Sequence, residues 1–146
     1  MRRTILALTV LCGATQAAHA DSRFFCSADD KDVRFTIESG FEAKEGHRLN
    51  HFRGAIMIKS ADVSPVFKKV VFNSDHLTQN WSHAGELRLA MFYDGGDETG
   101  GQTLDLVIAA DQHGKSAAAF SGTYELVIEG AAKPFTASSK ISCGSK

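Results

Sequence analysis

Leu87, Leu89, Met91 and Tyr93 occupy every second position, and Leu104, Leu106 and Ile108 repeat the pattern. Between them lies a glycine-rich acidic stretch, Asp94-Gly-Gly-Asp-Glu-Thr-Gly-Gly101. A period of two marks a strand with one face on a core and the other in water. Two such runs about a glycine-rich loop predict one long β-hairpin.

The same period recurs along the chain. Residues 24–27 form a short strand candidate, and Asp29 to Asp32 form a polar turn. Val33, Phe35 and Ile37 then alternate with Arg34, Thr36 and Glu38 until Ser39-Gly40 breaks the run. Residues 41–45 suit either a short strand or one helical turn. In residues 51–60 the inward positions are Phe52, Gly54, Ile56 and Ile58. Gly54 there predicts a bulge or the close approach of another backbone. Residues 61–65 form a turn, because Pro65 moves Ser64 out of helical geometry. Residues 66–72 are apolar but interrupted by Lys68-Lys69, which leaves their register open. Residues 73–84 carry no period of two and read as a long loop holding Trp81.

Beyond the central hairpin, Asp111-Gln-His-Gly114 reads as a turn, with glycine where a positive φ is easy. A strand starts at Ala117, bends at Ser121-Gly122 and continues inward through Tyr124, Leu126 and Ile128. Residues 129–134 turn the chain, and residues 135–143 form a last, mostly polar strand. About eight short strands joined by hairpin-like turns predict an all-β domain, a single antiparallel up-and-down barrel or a sandwich.

Cysteine content sharpens this picture. Of the three cysteines, Cys12 falls in residues 1–20, which have the three parts of a secretory signal peptide. These are basic Arg2-Arg3, a short apolar run over 5–11, and the small-residue site Ala18-His19-Ala20 before Asp21. Residues 21–146 then form one domain, exported to the periplasm or secreted. The remaining pair, Cys26 and Cys143, predicts a disulfide in an exported protein, since their separation lacks a Cys-x-x-Cys redox or metal spacing. Such a bridge makes the first and last strands neighbours and is expected to leave neither sheet edge unpaired.

Charge excludes one class of partner. The chain holds 16 Lys and Arg against 17 Asp and Glu, and without Arg2 and Arg3 the balance is 14 against 17, about −3. Nucleic-acid binding calls for a basic face. No later segment is long and apolar enough to predict a membrane span, and the domain is expected to be a monomer.

Candidate chemistry is sparse. Asp94, Asp97 and Glu98 lie among four glycines, an arrangement that could gather oxygen ligands for Ca²⁺. The Asp-x-Asp alternation and closing Glu of a calcium-binding helical loop are missing, and a solvated hairpin tip explains the same residues more simply. His47 and His51 have a metal spacing only on a helix; in a strand they stand about 13 Å apart. His76, His83 and His113 fall in expected loops. There is no Gly-x-Ser-x-Gly elbow, no nucleotide-binding glycine loop and no cysteine left free by the bridge, so no enzyme class is indicated. Asp105 and Glu125 are expected to point outward into solvent. Arg48, Arg53, Lys59, Lys68 and Lys69 suggest a basic patch, or simply a dispersed, solvated surface. Trp81 is the candidate recognition residue, with His83 of the same segment and Arg53 of the 51–60 run as further binding candidates. Its alternative role is a plug for one end of the barrel. Asn80-Trp81-Ser82 also fits the N-glycosylation pattern.

One resemblance adds a specific expectation. Phe25-Cys26, the polar turn, Val33-x-Phe35 and the terminal Cys143 resemble the framework of small periplasmic inhibitors of C-type lysozyme, which are disulfide-bearing antiparallel barrels. The likeness covers the first quarter of the chain. The Ser-Gly-x-x-Tyr element of those inhibitors has no counterpart in place, because Ser121-Gly122-Thr123-Tyr124 is one residue short and comes late. The functional expectation is therefore a non-catalytic exported barrel that binds a protein or small ligand through its loops. A hydrolase inhibitor and a metal-binding envelope protein are the alternatives.

Overall fold

The structure, a computed structural model, describes residues 23–41, 49–113 and 119–145. It holds nine strands: β1 (Arg23–Asp29), β2 (Val33–Phe41), β3 (Leu49–Ile58), β4 (Lys69–Asn73), β5 (Leu77–His83), β6 (Glu86–Asp94), β7 (Thr103–Gln112), β8 (Ala119–Glu129) and β9 (Phe135–Ser145). All pair antiparallel in one sheet of order β4-β3-β2-β1-β9-β8-β7-β6-β5. The sheet curls into a nearly closed barrel, as the period-two pattern predicts, and the alternating apolar positions meet inside. Leu104, Leu106, Ile108, Leu126 and Val33 are wholly buried.

The chain ends close on each other as expected. β1 pairs with β9, Cys26 stands directly opposite Cys143, and the two are bonded. The bridge spans 117 residues. A loop of that length gives a chain-entropy contribution of about 4–5 kcal/mol.

Closure of the whole sheet is where the expectation fails. The sheet begins at β4 and ends at β5, so two edges remain, and they belong to strands consecutive in sequence. Every other pair of consecutive strands is a hydrogen-bonded hairpin. The reason lies in the connection. Residues Ser74–His76 make a 3-10 turn, within which Asn73 Oδ1 accepts from Asp75 N (2.9 Å) and His76 Nδ1 accepts from Asn73 N (3.1 Å). The His76 ring stacks on Tyr93 of β6 at 5.4 Å and meets Phe72 edge-on. This folded turn directs the chain from β4 onto β6 rather than back along β4.

Residues 73–84 were expected to be a loop and instead contain β5. That strand shows no alternation because Asn80 and Ser82, opposite the buried Leu89 and Leu87, are polar. Three smaller corrections concern neighbouring runs. β2 continues through Ser39-Gly40 with a shift of register, and buried Ser39 donates to Asn50 O at 2.8 Å. Residues Pro65–Lys68 form a 3-10 turn that buries Phe67, after which Val70 and Phe72 point inward. β8 runs unbroken through Gly122, which lies opposite Ala110 so closely that a Cβ would stand 1.9 Å from Ala109 O. Gly54 does meet a close backbone, with Thr36 O 3.1 Å from where a Cβ would be. The signal-peptide reading, residues 42–48 with His47 and Arg48, and Ala117 lie outside the described residues.

Candidate functional site

The alternating apolar side chains form one buried cluster inside the barrel, and its outer wall offers concave surface as well. Three grooves stand out there. The largest, about 510 Å³, crosses β5, β6 and β7, with Gln79, Trp81, Arg88, Ala90 and Val107 among its lining residues. The register puts Gln79 beside Ala90 and Ala90 beside Val107, with Trp81 beside Arg88 one step along. Two adjacent rows of outward positions thus supply aliphatic surface, an amide, a guanidinium and an indole. Two smaller grooves, about 310 and 210 Å³, cross β2, β3 and β4 and share Thr36 and Ala55.

Trp81 is 47% exposed on the outer face of a strand. It is neither in a loop nor the plug of a barrel end. Its ring lies 6.0 Å from that of His83, tilted by 52°. Arg88 is held in place beneath it: Nη1 is 2.9 Å from Asp111 Oδ1 and donates to Ala110 O at 2.9 Å and Leu87 O at 3.0 Å. Arg53, the third expected binding residue, lines the separate groove on β2–β4, where it is paired with Glu38. Trp81 and His83 are therefore brought together, and Arg53 belongs to a different surface.

At the β1–β2 turn a buried phenol meets a hydrogen-bonded carboxylate. Tyr124, 1% exposed, donates its hydroxyl to Asp30 Oδ2 at 2.5 Å and packs edge-on against Phe35 with ring centroids 5.1 Å apart. Burial, helped by the bond to Asp30, holds the phenol far above its usual range. Burial alone pushes the Asp30 carboxyl up. The bonds from Tyr124 and from Val33 N and Asp32 N, with Lys59 nearby, outweigh it and leave Asp30 below its usual range. Lys59 also bonds Asp29 at 2.7 Å and holds that carboxyl low. On the opposite wall Asp105 is half-buried between Phe92 and Val127 rather than fully solvated. Burial, then Glu129, raises its carboxyl.

The expected basic patch is largely engaged in such contacts, since Arg53 pairs with Glu38, Lys59 with Asp29, and Lys68 with Ser60 O. In the acidic loop Asp94 Oδ1 accepts from Gly96 N at 2.8 Å, and buried Thr99 Oγ1 donates to Gly96 O and accepts from Gln102 N. These bonds give the hairpin tip a defined shape. Among the described residues no three His, Cys, Asp or Glu side chains, the trio Asp94, Asp97 and Glu98 included, stand close enough together to hold a metal ion.

Comparison with protein families, curated proteins and solved structures gives no match. The site therefore rests on its own geometry. Sequence reasoning found Trp81 but missed its setting, along with Gln79, Arg88 and Val107. The signal was present in part, because Arg88 and Val107 occupy the polar-face positions of the two runs read first.

Proposed function

We propose that the chain is an exported, non-catalytic binding module that engages its partner through the outer wall around Trp81. The observation that carries this reading is the β5–β7 groove, where an exposed indole sits next to aliphatic surface and an anchored guanidinium. Binding sites combine apolar area with a few fixed polar groups in this way, and aromatic and arginine side chains dominate recognition energetics. The packed interior supports a surface reader over a carrier of ligands in the lumen. The Cys26–Cys143 bridge suits an oxidising compartment, and among the described residues no helix is long and apolar enough to cross a membrane.

Inhibition of a hydrolase is a second reading, favoured by the internally bonded tip at residues 94–102. A preformed loop enters an enzyme cleft without an ordering cost.

Trp81 is the only tryptophan in the chain, so its fluorescence reports on the groove directly. Titration with uncharged peptides, cell-wall oligosaccharides and a C-type lysozyme is expected to shift its emission for one class. The same ligand must raise the melting temperature of the native protein but not that of Trp81→Ala. Stabilisation that survives Trp81→Ala would move the site elsewhere, with the loop at 94–102 the first alternative.

A further inference from the structure

Among the described residues β5 has no partner on one edge, and that edge lacks the devices that normally keep sheet edges apart. Natural edges are shortened, carry lysine or proline, or point charges inward. β4, the other edge, is five residues long and opens with Lys69. β5 is seven residues, Leu77-Thr-Gln-Asn-Trp-Ser-His83, with no Lys, Arg, Asp, Glu or Pro. Its one irregularity is a shift of register at Leu77/Gln79, upstream of the segment concerned. Residues Thr78 to Trp81 are exposed on both faces, and among the described elements the only extensive neighbour of the strand is β6. The turn at Ser74–His76 keeps β4 from pairing with it within the molecule.

We infer that the free edge of β5 pairs antiparallel with the same edge of a second copy, forming a two-fold dimer with one sheet running through both barrels. Directly opposed residues share a face of a sheet, so an outer wall continuous across the axis requires outward positions to oppose outward positions. Placing the axis at Trp81 satisfies this. Trp81 then faces Trp81 of the second copy, Gln79 faces His83, and Asn80 faces Ser82. No facing pair places like charges together at neutral pH, and an aromatic cross-strand pair forms at the centre. A partner strand from another protein would meet the same edge, but the self-complementarity of this segment favours a copy. The pairing closes on itself, because each molecule offers one such edge to one two-fold axis. It also leaves the outer face open, so the Trp81 grooves of the two copies join into one longer groove. The inference does not depend on the proposed function, since the dimer needs no ligand.

The test is the mass of the purified protein in solution by sedimentation or light scattering. A short edge makes a weak interface, so the range should run from about 1 μM to about 500 μM. The expected result is a rise from one chain to two across that range, with a shift in Trp81 emission over the same concentrations. Trp81→Lys and, separately, Gln79→Lys are expected to hold the protein at one chain while leaving its circular dichroism, and its melting temperature at about 1 μM where the native protein is also a single chain, unchanged. A single-chain mass throughout would overturn the inference. So would a dimer unaffected by either substitution, or assembly that continues beyond two chains.

Discussion

The barrel has two junctions where its sheet closes or fails to close, and they invert what sequence distance suggests. β1 and β9 lie at opposite ends of the described chain, yet they are hydrogen-bonded and joined by a disulfide. β4 and β5 are separated by only three residues and remain unpaired. The first junction places apolar or bonded side chains inward: Phe24, Cys26, Ile141 and Cys143 are all buried. The second asks β5 to present Asn80 and Ser82 to the interior, and the strand stays exposed. Proximity along the chain lowers the entropy cost of meeting, but pairing persists only where burial or a covalent bond supports it.

The largest effect expected from this contrast is at the covalent junction. Replacing both Cys26 and Cys143 by Ala should cost about 4 kcal/mol and lower the melting temperature by roughly 10–20 °C, measured by calorimetry. A drop of only a degree or two would mean that β1 and β9 stay together without the bond.

Next comes Tyr124→Phe, on the closed side, which removes the donor to Asp30. A loss of about 1–2 kcal/mol is expected, since a partly buried carboxylate oxygen is left without its partner. The pair also has a pH signature. The phenol is raised above its ordinary 10.0, so the unfolded chain ionises first. The stability it contributes is whole below pH 10 and falls as pH rises beyond. Asp30 lies below its ordinary 3.8, so its contribution is whole above that value and is lost as pH falls through the lower folded value. Melting curves should show a steeper alkaline decline for the wild type than for Tyr124→Phe.

At the open junction the effects shrink. His76→Ala removes the ring stacked on Tyr93 and the acceptor of Asn73 N, and about 1 kcal/mol is expected, the scale of a lost cap. Trp81→Ser should change stability by less than about 0.5 kcal/mol, as surface substitutions do, while abolishing the ligand-induced rise in melting temperature expected of the native protein. A large loss of stability from Trp81→Ser would give the indole a packing role and close the gap between the two junctions.

These unequal junctions also explain what could be read from sequence. The β6–β7 hairpin was legible because Leu87, Leu89, Met91, Leu104, Leu106 and Ile108 keep a strict period of two on a fully buried face. The bridge was legible from two widely spaced cysteines left over once residues 1–20 are read as a leader. β5 was not, because polar side chains on both faces erase the period that burial imposes elsewhere. Counting strands without β5 gave one too few and placed closure entirely at the termini. The same omission misplaced Trp81, whose residue type was informative but whose setting depends on a strand the pattern does not reveal. Asp105 shows the converse: alternation alone places it in solvent, yet Phe92 and Val127 flank it.

Native-state hydrogen exchange, followed residue by residue in dilute solution, tests the unequal closure most directly. Unequal closure requires that amides of β1 and β9 exchange only through global unfolding, while those of β5 exchange orders of magnitude faster through local opening. Equal protection of β5 and the β1–β9 pair would show a sheet closed all the way round, and would contradict it.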